Sequence, residues 1–574
     1  MKRVLRQRPS PIGLIDGVEH PVMARIYSAR QIRCSSELEL GLGRMLPPDG
    51  LSGVQRGVEL LAEQVCRGGR VGLIGDFDAD GATSCALGIL ALRAMGLENT
   101  FYLVPNRFAY GYGLTPPIVE LAMRQAPDLL VTVDNGISSV EGVEAAHARG
   151  LQVVITDHHL PGPRLPAADA IINPNLAGDG FESKNLAGVG VTFYVLLALR
   201  SHLRKLGWFD DRRPEPNLAE FLDLVALGTV ADVVSLDRNN RVLVEQGLRR
   251  IRAGHCRPGL TALLEVAGRD PRQAVASDLG YAVGPRLNAA GRLEDMSPGI
   301  ECLLTDDAGV ARRLAAELDG LNRQRREIEQ QMESDALASL ESVEKRWHKT
   351  PPAGLCLMDS DWHQGVTGIL ASRIRERFHR PVVVFAPAGD TLKGSARSIP
   401  GVHIRDLLER IATANPGLVA RFGGHAAAAG LSLDLESFDA FRRAFEQTAA
   451  DEVEPAMLEQ VLLSDGPLDS SDLALNLASA IRRGGPWGQG FPEPLFDNVF
   501  EVVDKRIVGG RHLRLDLRLP GDPRSVEGIA FRALDLGWGE PGRRVRAAYR
   551  LDVNRWQGRE RLQLVIEYLE TLPG

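Results

Sequence analysis

Short apolar runs, each closed by a polar turn and followed by a helical period, recur through the first third of the chain. Residues 71–74, 100–104, 129–133 and 152–156 are four such runs. Apolar runs of this length bounded by turn residues are the pattern of strands buried in a sheet. Residues 52–66 carry the period of an amphipathic helix, 82–95 are rich in alanine and leucine, and 138–149 again read as helix. Strands alternating with helices predict a parallel, doubly wound sheet. Residues 1–50 contain Pro9, Pro11, Pro21, Pro47 and Pro48 and predict an irregular lead-in packed on this first domain.

The pattern then changes. Residues 218–228 predict a helix with an apolar face. Over 306–343, Leu314, Leu318, Leu321, Ile328 and Met332 recur mostly at three- and four-residue spacing, with arginines and glutamates opposite. That is a long amphipathic helix, read as a spacer between two domains whose cleft holds a site; a coiled-coil pairing surface is the competing reading. Residues 351–450 predict a second, smaller α/β domain with strands at 355–358 and 381–385, a helix ending at Phe378, a short small-residue helix at 426–429 and a closing helix at 438–450. Five alternating runs come next, at 500–503, 512–517, 526–531, 545–553 and 562–568, separated by turns such as Gly509-Gly510 and Pro520-Gly521. Five strands at this spacing predict a small barrel of the OB type. The expected division is a lead-in at 1–50, a first α/β domain at 51–300, a connecting helix at 301–349, a second α/β domain at 350–455 and a barrel domain at 456–574.

Composition narrows the function classes. The chain has 574 residues, 44% hydrophobic and 25% charged, an ordinary soluble balance. Its formal net charge of -7 means that any surface for nucleic acid is local. The barrel region concentrates Arg511, Arg514, Arg518, Arg543, Arg544, Arg546, Arg550, Arg555 and Arg559, and offers Phe531 and Trp556 as stacking faces. Basic plus aromatic on such a barrel is the pattern of single-strand binding; a solvated arginine face is the plainer reading. Six scattered cysteines without metal-ligand spacing suit a reducing cytoplasm and argue against zinc. No signal-peptide pattern comes after the basic start, and no apolar run is long enough for a bilayer.

The candidate chemistry sits where the strands end. Gly75-Asp76-Phe77-Asp78-Ala79-Asp80-Gly81 places three carboxylates in one loop after the first apolar run. Like charges packed together resist ionising, and a divalent cation with oxygen ligands removes the conflict. A second run ends at Asp134-Asn135-Gly136 and a third at Asp157-His158-His159. In a parallel sheet these strand ends share one edge, so the groups converge on a site suited to Mn2+ or Mg2+ rather than a thiolate metal. Asp232 stands alone in an apolar segment, either as a further ligand or as a cap. In the second α/β domain, Asp361-Trp362-His363-Gln364-Gly365-Val366-Thr367-Gly368 opens a helix, and Lys393, Ser395, Arg397 and Ser398 supply donors suited to phosphate.

The set Gly75–Gly81, Val133-Asp134-Asn135-Gly136, Thr156-Asp157-His158-His159 and Gly228-Thr229-Val230-Ala231-Asp232 resembles the four motifs of the DHH phosphoesterases, with wording closest to the bacterial RecJ exonucleases. The resemblance continues through Gly284-Pro285-Arg286-Leu287-Asn288-Ala289-Ala290-Gly291-Arg292. It reaches Gly394-Ser395-Ala396-Arg397-Ser398 and Phe422-Gly423-Gly424-His425, which look like the DHH-associated domain. It implies two-metal hydrolysis of a phosphodiester by two Mn2+ or Mg2+ ions. Asp134 would bridge them, Asp76 would bind one, and Asp78, His158 and Asp232 the other, with Asp80 beside them. His159 would contact the scissile phosphate or protonate the leaving oxygen, and Asp157 would orient the imidazoles. Arg286, Ser395, Arg397 and His425 would hold phosphate, and Arg107 would grip the terminal one. The resemblance implies processive 5′-to-3′ digestion of single-stranded DNA to mononucleotides in recombination and repair, with a single-strand-binding protein and a helicase as candidate partners. Two alternatives compete. A phosphoesterase for short RNA or small nucleotides would have no need of the barrel, and a non-catalytic replication scaffold would have no need of the full ligand set.

Overall fold

The computed structural model describes residues 3–10, 15–104, 110–344, 352–556 and 559–573. The chain divides into two compact units. The larger comprises Arg8–Asn322 and Ser464–Gly574, the smaller Met1–Gln7 and Arg323–Leu463.

Within the smaller unit, β1 (Val4–Gln7) is the first strand of the chain. The larger unit is built on five parallel strands: β2 (Val71–Gly75), β3 (Thr100–Leu103), β4 (Leu129–Val133), β5 (Gln152–Thr156) and β6 (Ala170–Ile172). Their order across the sheet is β3-β2-β4-β5-β6, with Val71 opposite both Thr100 and Leu129, and Leu129 opposite Gln152. β2 and β4 are buried along their whole length, which is why they read as continuous apolar runs. β6, three residues long, is too short to leave a periodic signal. Chain order reverses between β2 and β4, so the turns after those two strands flank the topological switch point of the sheet.

The helices of this unit include α1 (Pro21–Ser28), α2 (Val54–Arg67), α3 (Ala79–Ala94), α4 (Pro116–Met123), α5 (Val140–Ala148), α6 (Gly188–Lys205) and α7 (Leu222–Ala231). α3 packs on β2 and is covered by α6 and α7, so almost all of it is buried. Its small residues allow that approach. The segment before residue 50 is less irregular than its prolines suggest. His20 caps α1, Pro21 is its first residue, and Val22, Met23, Ile26 and Tyr27 are buried. Nor does it pack on the first domain alone. Tyr27 donates to Gly484 O at 3.0 Å, and buried Arg30 meets buried Asp465 through two bonds of 2.8 and 3.1 Å. Those partners lie more than 400 positions away, so no local pattern could reveal them.

The smaller unit holds the mixed sheet β10-β11-β9-β8-β7, made of β7 (Leu355–Met358), β8 (Val382–Ala388), β9 (Thr391–Arg397), β10 (Arg421–Gly424) and β11 (Ala428–Asp434). The small-residue run 426–429 is not the helix expected from sequence: Ala426 and Ala427 form a bend, and Ala428 and Ala429 begin β11, paired antiparallel with β9 and β10. Alanine favours helix locally, but ladder hydrogen bonds on both sides override a weak propensity. β12 (Val461–Ser464) pairs with β1. The helix Ala308–Glu344 runs 37 residues, and the division between the units falls inside it, after Asn322.

The last strands of the larger unit form a closed barrel: β13 (Phe496–Val508), β14 (His512–Arg518), β15 (Ser525–Ala530), β16 (Arg544–Trp556) and β17 (Arg559–Thr571), in the order β13-β14-β15-β17-β16. The parallel pair β15·β17 closes it. Phe496, Phe500, Leu515, Tyr549 and Leu564 fill its interior and join the core of the first α/β domain.

Candidate metal centre and phosphate pocket

The turn after β2 is organised by its own carboxylates. Asp78 Oδ1 accepts from the backbone N–H groups of Asp80 (2.9 Å) and Gly81 (3.0 Å) and so caps α3, while Asp76 Oδ1 accepts from Phe77 N at 2.7 Å. Asp80 is buried, and its two oxygens accept from Gly188 N (2.6 Å) and Val189 N (2.9 Å) at the start of α6. That helix end also dictates Gly188. A Cβ there would lie 2.4 Å from Asp134 Cβ and 2.7 Å from Asp134 Cα, so only glycine lets α6 abut the residue that ends β4. Asp134 itself has φ +62°, a left-handed conformation that Asp tolerates better than most residues.

The turn after β5 is pinned by Asp157. Its Oδ1 accepts from His158 N (2.7 Å), His159 N (3.0 Å) and His159 Nδ1 (2.7 Å), and its Oδ2 from Ile137 N (2.9 Å). Two asparagines after β6 hold the same turn from outside, Asn173 donating to His159 O (2.8 Å) and Asn175 to His158 O (2.6 Å). Asp232 comes directly after the last turn of α7.

These elements bring three sets of ligand atoms together, each within 4.8 Å: Asp76, Asp78 and Asp134; Asp80, His158 and Asp232; Asp134, His158 and His159. Asp134 and His158 are each shared by two sets, so the sets form one continuous centre. His158 Nε2 stands 3.1 Å from Asp134 Oδ1, 3.4 Å from Asp232 Oδ2 and 4.0 Å from Asp80 Oδ2. Asp78 thus gathers with Asp76, and Asp80 with His158 and Asp232.

The electrostatics ask for a cation. Burial first, then the neighbouring carboxylates, pushes Asp76, Asp80 and Asp134 well above the ordinary carboxylate range. Asp232 rises to about 7 through burial and Asp78. Asp157 goes the other way. Burial would raise it, but the His159 hydrogen bond and charge outweigh that and hold it below the usual range. His159 is correspondingly lifted to about 9, against its own burial, by Asp157, Asp76 and Asp232. Asp134 Oδ1 and Asp232 Oδ2 are buried yet accept no hydrogen bond among the described residues. Carboxylate oxygens with one imidazole, two of those oxygens unsatisfied, fit a hard divalent cation.

Several supports of this centre carry no readable sequence signal. Asn288, inside the Gly284–Arg292 motif, accepts from Ala79 N at 2.7 Å and ties the helix Gly284–Leu293 to the acidic loop; only its place in that motif could have pointed to it. Gly188 stands in no motif. Tyr112 lies in a glycine-rich stretch to which sequence alone assigns no role.

The expected phosphate ligands are divided between the two units. Ser395 and Arg397 lie on β9, opposite Gly430 and Ala428 of β11, and His425 lies in the exposed turn between β10 and β11. Arg397 Nη1 donates to Ala396 O (2.8 Å), and the guanidinium ion-pairs with no carboxylate among the described residues. Burial, then Arg375, lowers its pKa. Arg397 Nη2 lies 2.9 Å from where a Cβ on Gly368 would stand, against the first turn of the helix Thr367–Phe378, and Ser395 Oγ is 2.9 Å from Thr367 Oγ1. A half-buried cation at a helix amino end is chemistry suited to an anion. Arg286, in the larger unit, is occupied otherwise: its Nε and Nη2 meet Asp319 Oδ1 at 3.0 and 2.8 Å, and its Nη1 donates to Ala282 O at 2.6 Å. Arg107 and the Trp556 side chain lie outside the described residues.

Comparison with known proteins places the chain in a family. The DHH family, N-terminal domain, matches residues 70–229, the DHHA1 domain matches 352–451, and the RecJ OB domain matches 464–568. The single-stranded-DNA-specific exonuclease RecJ of Escherichia coli is 55% identical over 550 residues, 95% of this chain and 95% of its own. The chain belongs to the RecJ family. Among solved structures, RecJ from Thermus thermophilus in complex with Mn2+ has 32% identity and a TM-score of 0.80, covering 100% of this chain and 80% of that one. The Mg2+ complex of the same protein has 30% identity and a TM-score of 0.76, covering 100% and 78%. The RecJ architecture of DHH domain, DHH-associated domain and OB barrel accounts for all three motif-bearing regions. No helix among the described residues is long and apolar enough to cross a membrane.

Proposed function

We propose that this chain is a metal-dependent exonuclease specific for single-stranded DNA, hydrolysing phosphodiester bonds from the 5′ end to release 5′-mononucleotides in recombination and repair. One observation carries the reading: ligand sets linked through Asp134 and His158, with unsatisfied buried carboxylate oxygens, at the switch point of a parallel sheet. Two Mn2+ or Mg2+ ions fit these residues, Asp76, Asp78 and Asp134 around one and Asp134, His158, Asp232 and Asp80 around the other. When bound, they supply the Lewis-acid activation of water and phosphate that hydrolysis needs.

The chain's own residues do the rest. Asp157 fixes the tautomer and direction of His159, so that its Nε2 edge can give a proton to the departing oxygen. Arg397, Ser395 and His425 offer a second place for backbone phosphate, which recognises a strand without reading its bases. Arg286 holds the helix Gly284–Leu293 to Asp319 and reaches phosphate only by exchanging that partner. Arg107 is assigned to the terminal phosphate on resemblance alone. On the barrel, Arg514, Arg559 and Arg561 line a cavity of about 570 Å³, room for part of a strand. The domain limits at 50, 300, 349 and 455, a cytoplasmic location, and a single-strand-binding protein and a helicase as partners complete the reading.

The test is release of nucleotides from 5′-labelled single strands with Mn2+, with EDTA, and with blunt duplex in place of the strand. Mononucleotide release that needs the metal and is far slower on blunt duplex is expected. Equal rates on strand and duplex without a helicase, or cleavage in EDTA, would overturn the proposal.

A further inference from the structure

Tyr112 is placed against the proton donor more deliberately than a loop residue needs to be. It stands between Gly111 (φ +81°) and Gly113 (φ +70°), two left-handed positions that turn the chain sharply on either side of the ring. A Cβ on Gly113 would lie 3.1 Å from Ser139 Oγ and 3.4 Å from Asn135 Oδ1, so this turn is seated on the loop that carries Asp134. The ring packs edge-on against Phe77 (centroids 6.0 Å, 81°) and against His159 (6.1 Å, 80°). The phenol oxygen lies 3.5 Å from His159 Nε2, and Asp157 Oδ1 lies 2.7 Å from Nδ1 on the other side of the imidazole. His159 is therefore gripped at both nitrogens, tightly by a carboxylate and loosely by a phenol.

We propose that Tyr112 is a positioning residue for proton transfer, holding the Nε2 edge of His159 toward the reacting phosphate. The inference rests on the reading of His159 as proton donor. A contact of 3.5 Å is at the outer limit of a hydrogen bond, so it orients the ring without sequestering the proton. When a strand binds, the 3′ oxygen of the terminal nucleotide meets the proton of Nε2 beside the phenol, which goes on orienting the ring. Water oxygen bonds to phosphorus, the P–O3′ bond breaks, and O3′ leaves with the proton from Nε2. The proton that the water gives up restores the imidazole. Phe77, between two metal-site carboxylates, packs edge-on against the tyrosine ring, adding a second contact to hold its direction.

Tyr112→Phe keeps the ring and its packing and removes only the hydroxyl. Loss of one weak orienting bond predicts a kcat about three- to tenfold lower with KM unchanged. The affinity for a labelled single strand without metal, and the melting temperature, stay at wild-type values. Two further measurements separate orientation from structure. In the His159→Gln background, adding Tyr112→Phe has no further effect, because the residue through which it acts is gone. On a strand whose first linkage carries sulfur in place of the bridging 3′ oxygen, both variants recover, because a thiolate leaves without a proton. A Tyr112→Phe defect that is equally large in the His159→Gln background, or that persists with the sulfur linkage, would overturn the inference. If His159→Gln loses rate and Tyr112→Phe does not, this inference alone falls; if His159→Gln keeps the wild-type rate, the proton-donor reading falls with it.

Discussion

Replacing Asp134 by Asn tests the centre at its shared ligand. Asn tolerates the left-handed backbone at φ +62° as well as Asp does, so the fold is kept. The charge, however, is lost from a place where ligand atoms crowd within 4.8 Å. At an effective dielectric of about 20, two like charges at such a distance repel by about 3–4 kcal/mol. Without metal, the variant is therefore expected to be more stable than wild type at a pH that ionises Asp134, and about as stable where Asp134 keeps its proton. With metal the order reverses. Mn2+ at about a hundred times its dissociation constant stabilises the wild-type protein by about 2.7 kcal/mol, enough to raise the melting temperature by about 5 °C, and the variant gains almost nothing.

The pH dependence carries a sign. Asp76, Asp80 and Asp134 are raised well above, and Asp232 to about 7 from, the ordinary carboxylate value. The metal-free folded protein thus holds protons that the unfolded chain releases near pH 4, and its stability falls as pH rises from there through about 7. Mn2+ competes with those protons, so the metal-induced shift is small near pH 5 and full near pH 8. Scanning fluorimetry with a Mn2+ titration at both pH values reads all of this. An Asp134→Asn protein with the wild-type Mn2+ shift, or a wild-type shift larger near pH 5 than near pH 8, would refute the shared-ligand argument.

Gly188→Ala is expected to cost about 1–3 kcal/mol and to weaken Mn2+ binding, because the new methyl meets the Asp134 backbone rather than a yielding side-chain tip; calorimetry with and without metal measures both. Asp465→Ala is expected to destabilise the protein by about 3–5 kcal/mol, since it leaves buried Arg30 without its acid; a urea melt reads the loss, and a change under 1 kcal/mol would show that the pair is not the tie between the N-terminal segment and the barrel region. For the same reason, ending the chain before Ser464 is a poor test of the barrel. Replacing Arg559 and Arg561 together by Ala is expected to weaken binding of long single strands and to lower the slope of log affinity against log salt by about 1.4 (two contacts at about 0.7 each), with hydrolysis of very short oligonucleotides unchanged; anisotropy across a salt series checks it.

How much of the fold and the centre is legible in the sequence depends on the range of each interaction. The sequence by itself determined the parallel sheet and the barrel, because buried strands and strand–turn repeats are local patterns. It also determined which strand ends carry carboxylate and imidazole, since Asp76, Asp78, Asp80, Asp134, Asp157, His158 and His159 each come directly after an apolar run, and a parallel sheet sets such ends on one edge. What it could not determine is the partition among them. Asp78 spends one oxygen capping α3 and gathers with Asp76, while Asp80 is drawn toward His158 and Asp232 by the amides of α6. Those distances depend on where α6 and α7 arrive, which is settled by packing across more than a hundred residues. Arg286 is a phosphate ligand by resemblance alone, and its pairing with Asp319, on the next long helix, is a tertiary contact that no local pattern shows. The run 426–429 looked helical because alanine favours helix, yet Ala428 and Ala429 are strand because β9 and β10 are there to pair with them. Tyr112 carried no signal at all, since a tyrosine between two glycines acquires a role only when the turn folds it over His159. Periodicity and side-chain chemistry are written into neighbouring residues, whereas the pairing of a given carboxylate, cation or phenol belongs to the tertiary contacts that decide what each one meets.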